Sequence, residues 1–116
     1  MVLVTALVLG ACGGSEATRE FSELAASGRE IVLTRGCAAC HGDDGAGDVG
    51  PSWQGLFGSV VQLEQGGSVV ADAEYLRRAI VEPDAEIVAG SSISMPVTNL
   101  SEAEVEAVVA FIEELQ

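Results

Sequence analysis

The plainest pattern in the chain lies near its end, where Val105, Val108, Val109, Ile112 and Leu115 recur three and four residues apart, giving one apolar helix face. Just before them, Ser101 and Glu104 have the spacing of a capping box, and Leu100 and Val105 are placed as a hydrophobic staple. Glu102 and Glu104 favour the positive end of this helix. Glu113 and Glu114 oppose its negative end, which predicts fraying there. A second helix is predicted from an Asp72 cap through Tyr75, Leu76, Ala79 and Ile80, stopping before Pro83 because the residue preceding a proline is biased away from the α region. A third, shorter helix is predicted from the capping-box pattern Ser27-Gly28-Arg29-Glu30 through Ile31-Val32-Leu33 to Arg35, with Gly36 turning the chain.

Between these helices the period changes. Val60 to Val70 alternates on both sides of Gly66-Gly67, which predicts a small β-hairpin. The segment Gly42 to Gly50, closed by Pro51, is too rich in Gly and Asp for helix, and residues 84–99 also read as irregular. Residues 13–26 are small and polar and read as a tether, in which Phe21, Leu24 and Ala25 are placed to dock on the body that follows.

The first twelve residues, MVLVTALVLGAC, are uncharged and almost wholly apolar. A run this short cannot cross a hydrocarbon core of about 30 Å as a helix, so it reads as the apolar part of a secretory signal. Its ending, Leu9-Gly10-Ala11-Cys12, resembles a bacterial lipobox, which implies that Cys12 is lipidated and becomes the mature N-terminus. No Lys or Arg precedes the apolar run. The expectation is an exported lipoprotein, membrane-anchored and facing the periplasm or cell exterior, with residues 1–11 as signal peptide and 12–26 as lipidated tether.

Composition narrows the function. A chain of 116 residues predicts one domain, and 48% hydrophobic with 20% charged residues excludes a disordered tail. Only Phe21, Trp53, Phe57, Tyr75 and Phe111 are aromatic, so something besides side chains is expected to fill the core. Eighteen acidic residues against five Arg and no Lys give a formal charge of −13, which excludes nucleic acid as a partner because no basic stripe exists to displace counterions. All charged residues lie after residue 15, so the charge belongs to the tethered body.

Chemistry concentrates in Cys37-Ala38-Ala39-Cys40-His41. CxxCH is the signature of covalent c-type haem attachment: two thiols three positions apart on a helical turn reach two vinyl groups on one porphyrin edge, and the next residue puts an imidazole under the iron. Three other uses of these residues compete. A structural zinc site needs four ligands, a thioredoxin-like redox pair sits in a βαβ context that the pattern lacks, and a disulfide does not require His41. His41 is the sole histidine, so Met95 is the remaining soft candidate for the sixth iron position, presented by an irregular Ser-Ile-Ser-Met-Pro stretch that Pro96 stiffens. A methionine packed in the core is its competing use.

From about Gly28 to Leu115 the sequence resembles the class I cytochromes c. The run Gly-Pro-Ser-Trp-Gln-Gly-Leu-Phe-Gly at 50–58 is similar to that family's Gly-Pro-x-Leu-x-Gly-Leu-Phe-Gly segment. The resemblance implies that the Pro51 carbonyl accepts a hydrogen bond from the His41 ring, and that Trp53, standing where the family often has Leu, packs on the haem or reaches a propionate. Ser59 to Pro96 is similar to a narrower group, the cytochrome c domain fused to subunit II of some haem–copper oxidases, through Ala-Asp-x-x-Tyr-Leu-Arg-Arg-x-Ile, Pro83 to Gly90, and Met95-Pro96. Val32 stands where that group has an aromatic residue, which predicts looser packing around Gly28, Val32 and Phe111.

The expected fold is therefore all-α, the class I cytochrome c fold, with three main helices around one covalently bound haem, a small β-hairpin insertion, and a cytochrome c domain at 27–116. The expected function is single-electron transfer with no small-molecule substrate. Cys37 and Cys40 would hold haem c, and His41 and Met95 would ligate iron. Partners would be redox proteins such as a terminal oxidase or a quinol-oxidising complex, and a gas-binding or peroxidatic haem protein with a displaceable Met95 is the alternative.

Overall fold

The computed structural model describes residues 19–116. In chain order they form α1 (Glu23–Thr34), α2 (Ala38–His41), β1 (Val60–Gln62), β2 (Ser68–Val70), α3 (Ala73–Val81) and α4 (Glu102–Glu113). The strands pair antiparallel, Val60 opposite Val70 and Gln62 opposite Ser68, so the predicted hairpin forms with Gly66-Gly67 in its loop. The body is mostly helical, as expected. Among the described residues no helix is long and apolar enough to cross a membrane. The lipobox, Cys12 and the signal peptide assigned to 1–11 lie outside the described residues.

The frame is built by α1, α3 and α4. In the middle of the α1–α4 contact, Gly28 lies against the backbone of α4: a Cβ there would stand 1.9 Å from the Ala107 carbonyl oxygen and 3.0 Å from Phe111 Cβ. Only a residue without a side chain lets the two backbones approach this closely. Val32 and Phe111 on either side are fully buried. At Val32 itself, where looser packing is expected, the contact is closed: the backbones approach closely at Gly28, and Val32 is fully buried.

Two expectations about the helix ends are corrected. α1 starts at Glu23, one turn earlier than the Ser27 pattern predicts: Ser22 is the N-cap, its Oγ accepting from Ala25 N at 3.2 Å. The cap is reinforced from the far end of the chain, where the Glu114 carboxylate accepts from Ser22 N at 3.0 Å and from Ser22 Oγ. Residues 23–26 are thus the first turn of a helix rather than tether, Ala25 is fully buried, and Phe21 packs edge-on against Phe111 with ring centroids 5.2 Å apart. The same carboxylate removes the reason for fraying. Glu114 opposes the dipole of its own helix but sits at the positive end of α1, and Arg19 donates to the Glu114 and Gln116 carbonyls.

The opposite ends of these helices are also tied. Ser101 and Glu104 form the predicted capping box, and Arg35 Nη1 reaches Glu104 Oε1 at 2.9 Å. Asp72 caps α3 by accepting from Tyr75 N at 2.8 Å, as predicted. Arg77 joins α3 to α4 through Glu106, at 2.7 Å from Nε, and also pairs with Glu74. These pairs lie at or near the surface, where solvent screening keeps each one weak. Their collective effect is to set which helix ends meet.

Candidate functional site

α2 is a single turn with both cysteines and the histidine on it. Cys37 is its N-cap residue, and the Cys37 carbonyl accepts from Cys40 N at 3.2 Å and from His41 N at 3.0 Å. The two thiols are free and half-buried. Burial pushes the Cys37 thiol pKa up, against the pull of a backbone hydrogen bond and of the Arg35 guanidinium. His41 is buried, at 6% exposure.

The loop after α2 folds back over the imidazole. Gly47 N donates to the His41 carbonyl and Gly50 N to the Cys40 carbonyl, both at 2.8 Å, which carries Gly50-Pro51 across the ring. His41 Nδ1 lies 2.9 Å from the Pro51 carbonyl oxygen. A carbonyl can only accept, so Nδ1 carries the proton and Nε2 keeps its lone pair. Burial also lowers the His41 pKa below its usual value, opposed by the Pro51 contact, so the ring is neutral at pH 7 and competent as a metal ligand. Locking the tautomer through the second nitrogen orients the ring and raises its basicity toward a metal.

Two neighbours hold the imidazole from its faces. A Cβ on Gly50 would lie 2.7 to 3.0 Å from three His41 ring atoms, so the close pass of the loop requires glycine. The Trp53 ring is stacked on His41, with centroids 4.3 Å apart and planes 20° from parallel. Trp53 is itself anchored, its N donating to Gly45 O at 2.8 Å. The indole thus packs against the imidazole beside the cavity that Trp53 also lines.

The imidazole and both thiols open onto a cavity of about 500 Å³, within the range of about 300 to 1,000 Å³ usual for small-molecule sites. Met95 lines the same cavity from the irregular segment after α3, and Pro51 and Trp53 line it from the loop. All the described residues singled out from the sequence thus meet at one place. The remaining wall was not anticipated: the hairpin contributes Val60 and Val61, α3 contributes Tyr75 and Leu76, and an isolated bridge from Leu63 to Val88 holds hairpin and Met95 segment together. Burial raises the Tyr75 pKa, helped by Glu86 and opposed by Arg78, so its hydroxyl stays protonated at the cavity wall. A larger hollow of about 620 Å³, flanked by Arg19, Phe21 and Phe111, contains neither cysteine nor histidine and is a gap at the outer side of the α1–α4 contact.

This donor set suits a flat, mostly apolar metal macrocycle better than a bare ion. Among the described residues, no three His, Cys, Asp or Glu side chains converge as an ion site. Two free thiols, a neutral imidazole with its outer nitrogen committed, and a thioether sulfur instead surround a cavity walled by aliphatic groups. A search among curated proteins returns no match. The sequence model of the family described as Cytochrome c matches residues 25–116, which takes in most of α1 and all of the CxxCH turn, the hairpin, α3 and α4. The chain accordingly belongs to the cytochrome c family, as a class I c-type cytochrome with covalently attached haem c and the role of a haem electron carrier.

Proposed function

We propose that this protein is a His/Met-ligated monohaem carrier, tethered to a membrane through a lipid on Cys12, that passes single electrons between membrane-associated respiratory or photosynthetic complexes. The observation that carries the reading is the meeting of CxxCH, a tautomer-locked His41 and Met95 at one cavity. Haem bound there supplies an iron centre that changes charge by one without rearranging the polypeptide. Cys37 and Cys40 would hold the haem covalently, each thiol adding its sulfur and hydrogen across one vinyl group, which would need no external oxidant or reductant. His41 would hold the iron through Nε2 while Pro51 keeps Nδ1–H engaged, and Met95 would supply a soft sulfur that favours the ferrous state. Trp53 and Gly50 hold the imidazole against rotation, and the aliphatic wall would keep water from a bound metal.

The respiratory partners rest on the likeness of Ser59 to Pro96 to domains fused to oxidase subunit II, and a quinol-oxidising complex and a terminal oxidase are the natural donor and acceptor for such a carrier. The tether rests on the lipobox. Two measurements test the reading. Intact mass of the purified holoprotein should exceed that of the chain beginning at Cys12 by one haem plus acyl groups, and a redox titration should follow a single one-electron couple. A chain that keeps residues 1–11, or an absorption spectrum without covalent haem, would overturn the corresponding part.

A further inference from the structure

The hairpin that walls the cavity also grips the segment leading to Met95. Gln62 O accepts from Ala89 N at 2.9 Å and Glu64 N donates to Ile87 O at 2.8 Å, on either side of the Leu63–Val88 bridge. Two side chains add to these backbone bonds. Gln65 Nε2 donates to Ala85 O at 3.1 Å, and Glu64 Oε2 accepts from Gly90 N at 3.3 Å. Glu64 and Gln65 are exposed and neither lines the cavity, whereas Ile87, Val88 and Ala89, which lie between their contacts, all do.

Beyond this grip the chain is held far less. It turns at Gly90, with φ at 81°, and Ser91 N returns to Val88 O at 3.1 Å. Residues 92–97, which include Met95, make no hydrogen bond among the described residues. Downstream the chain is caught again by Thr98 Oγ1 on Ile80 O and by Arg35 Nη2 on Asn99 O, each at 3.4 Å. Residues without hydrogen bonds keep one arrangement only while their ends are fixed, because ordering them opposes their conformational entropy. Of the two ends, the hairpin end has the more numerous and the shorter bonds.

We propose that Glu64 and Gln65 are positioning residues for Met95: by fastening 85–90 to the hairpin they keep the thioether presented to the cavity. The inference rests on Met95 as the sixth iron ligand, the reading proposed above, and deepens it. With the grip at Gly90 released, five positions before Met95, the thioether would spend more time withdrawn, and a foreign ligand would find the sixth position open. The hairpin would thus help keep a closed electron carrier from becoming an open, ligand-binding haem protein. A merely structural strap would instead lower stability and leave the coordination of Met95 unchanged.

The test is titration of the ferric holoprotein with imidazole, which binds iron only while Met95 is away, so its apparent affinity scales with the withdrawn fraction. Glu64→Ala combined with Gln65→Ala should lower the half-saturating imidazole concentration about fivefold, the effect of two lost hydrogen bonds. Glu64→Ala alone should shift it in the same direction. Glu64→Gln should match the unaltered protein, because its amide oxygen still accepts from Gly90 N. Arg77→Ala, which unties α3 from α4 at a residue that does not line the cavity, should lower the denaturant midpoint without moving the titration. An equal shift in Glu64→Gln would assign the effect to charge and overturn the proposal, and an equal shift in Arg77→Ala would assign it to overall stability and do the same. If the unaltered protein shows sulfur-to-ferric-iron charge-transfer absorption and the double variant titrates as it does, the positioning role alone is overturned. If the unaltered protein lacks that absorption and binds imidazole as tightly as Met95→Ala, the His/Met reading fails and the positioning role falls with it.

Discussion

The helical frame and the cavity wall are held together by different means. Where α1 meets α4, side chains do the work: Gly28 admits the Ala107 backbone, Val32 and Phe111 are fully buried, and ion pairs or carboxylate caps close both ends. Around the cavity, long stretches lack helix and strand, and backbone hydrogen bonds such as Gly50 to Cys40 and Ala89 to Gln62 carry the shape. The frame is a finished core. The wall surrounds a cavity, and haem held there would be part of the packing, which would account for a body of this size managing with five aromatic residues.

The largest effect should follow from removing the anchor of that missing core material. Cys37→Ala with Cys40→Ala is expected to leave a largely unfolded chain, a loss on the order of the ~5 kcal/mol that holds a small domain together. Native-like helix content by far-UV circular dichroism would instead show that the frame stands without the wall. Next, Gly28→Val forces a side chain into the Ala107 carbonyl and should cost about 3 kcal/mol in denaturant melts of the holoprotein, with little change in the haem spectrum. Gly50→Ala should show the reverse balance. Its methyl group meets the His41 ring, so about 2 kcal/mol of stability is lost together with a visible change in the axial-ligand spectrum. Spectral change in Gly28→Val and none in Gly50→Ala would break the division between frame and wall.

Acid should produce the smallest effect, and it acts on the frame. Glu114 has its pKa lowered by the hydrogen bonds from Ser22, and Glu104 by those from Ser101. For a carboxylate whose folded pKa is depressed, stability is present above the ordinary value of 4.5 and is lost as pH falls through the folded value. Denaturant midpoints should therefore drop below that pH, and Glu114→Gln should flatten part of the drop. An unchanged slope in Glu114→Gln would remove Glu114 from the account.

The same contrast explains what could be read in advance. Features set by neighbours in sequence were legible: the Ser101–Glu104 box, the Asp72 cap, the Gly66-Gly67 hairpin and the CxxCH turn each depend on residues a few positions apart. Features set by distant partners were not. The start of α1 depends on Glu114, which lies 92 positions from Ser22, so the local Ser27 pattern outranked the true cap. The stacking of Trp53 on His41 was not legible, because it arises from the loop's return through Gly50. Gly50 itself carried a signal, a glycine immediately before the proline whose carbonyl meets the imidazole. The hairpin was legible as an element but not as cavity wall, since its place is set by pairing of Leu63 with Val88 across the chain.

Closed His/Met coordination is the centre of the account, and carbon monoxide probes it directly. If His41 and Met95 both hold the iron, the ferrous holoprotein at neutral pH should leave added carbon monoxide unbound, whereas ferrous Met95→Ala should bind it rapidly and in stoichiometric amount. Rapid, stoichiometric binding by the unaltered protein would contradict the account and favour a gas-binding or peroxidatic haem site.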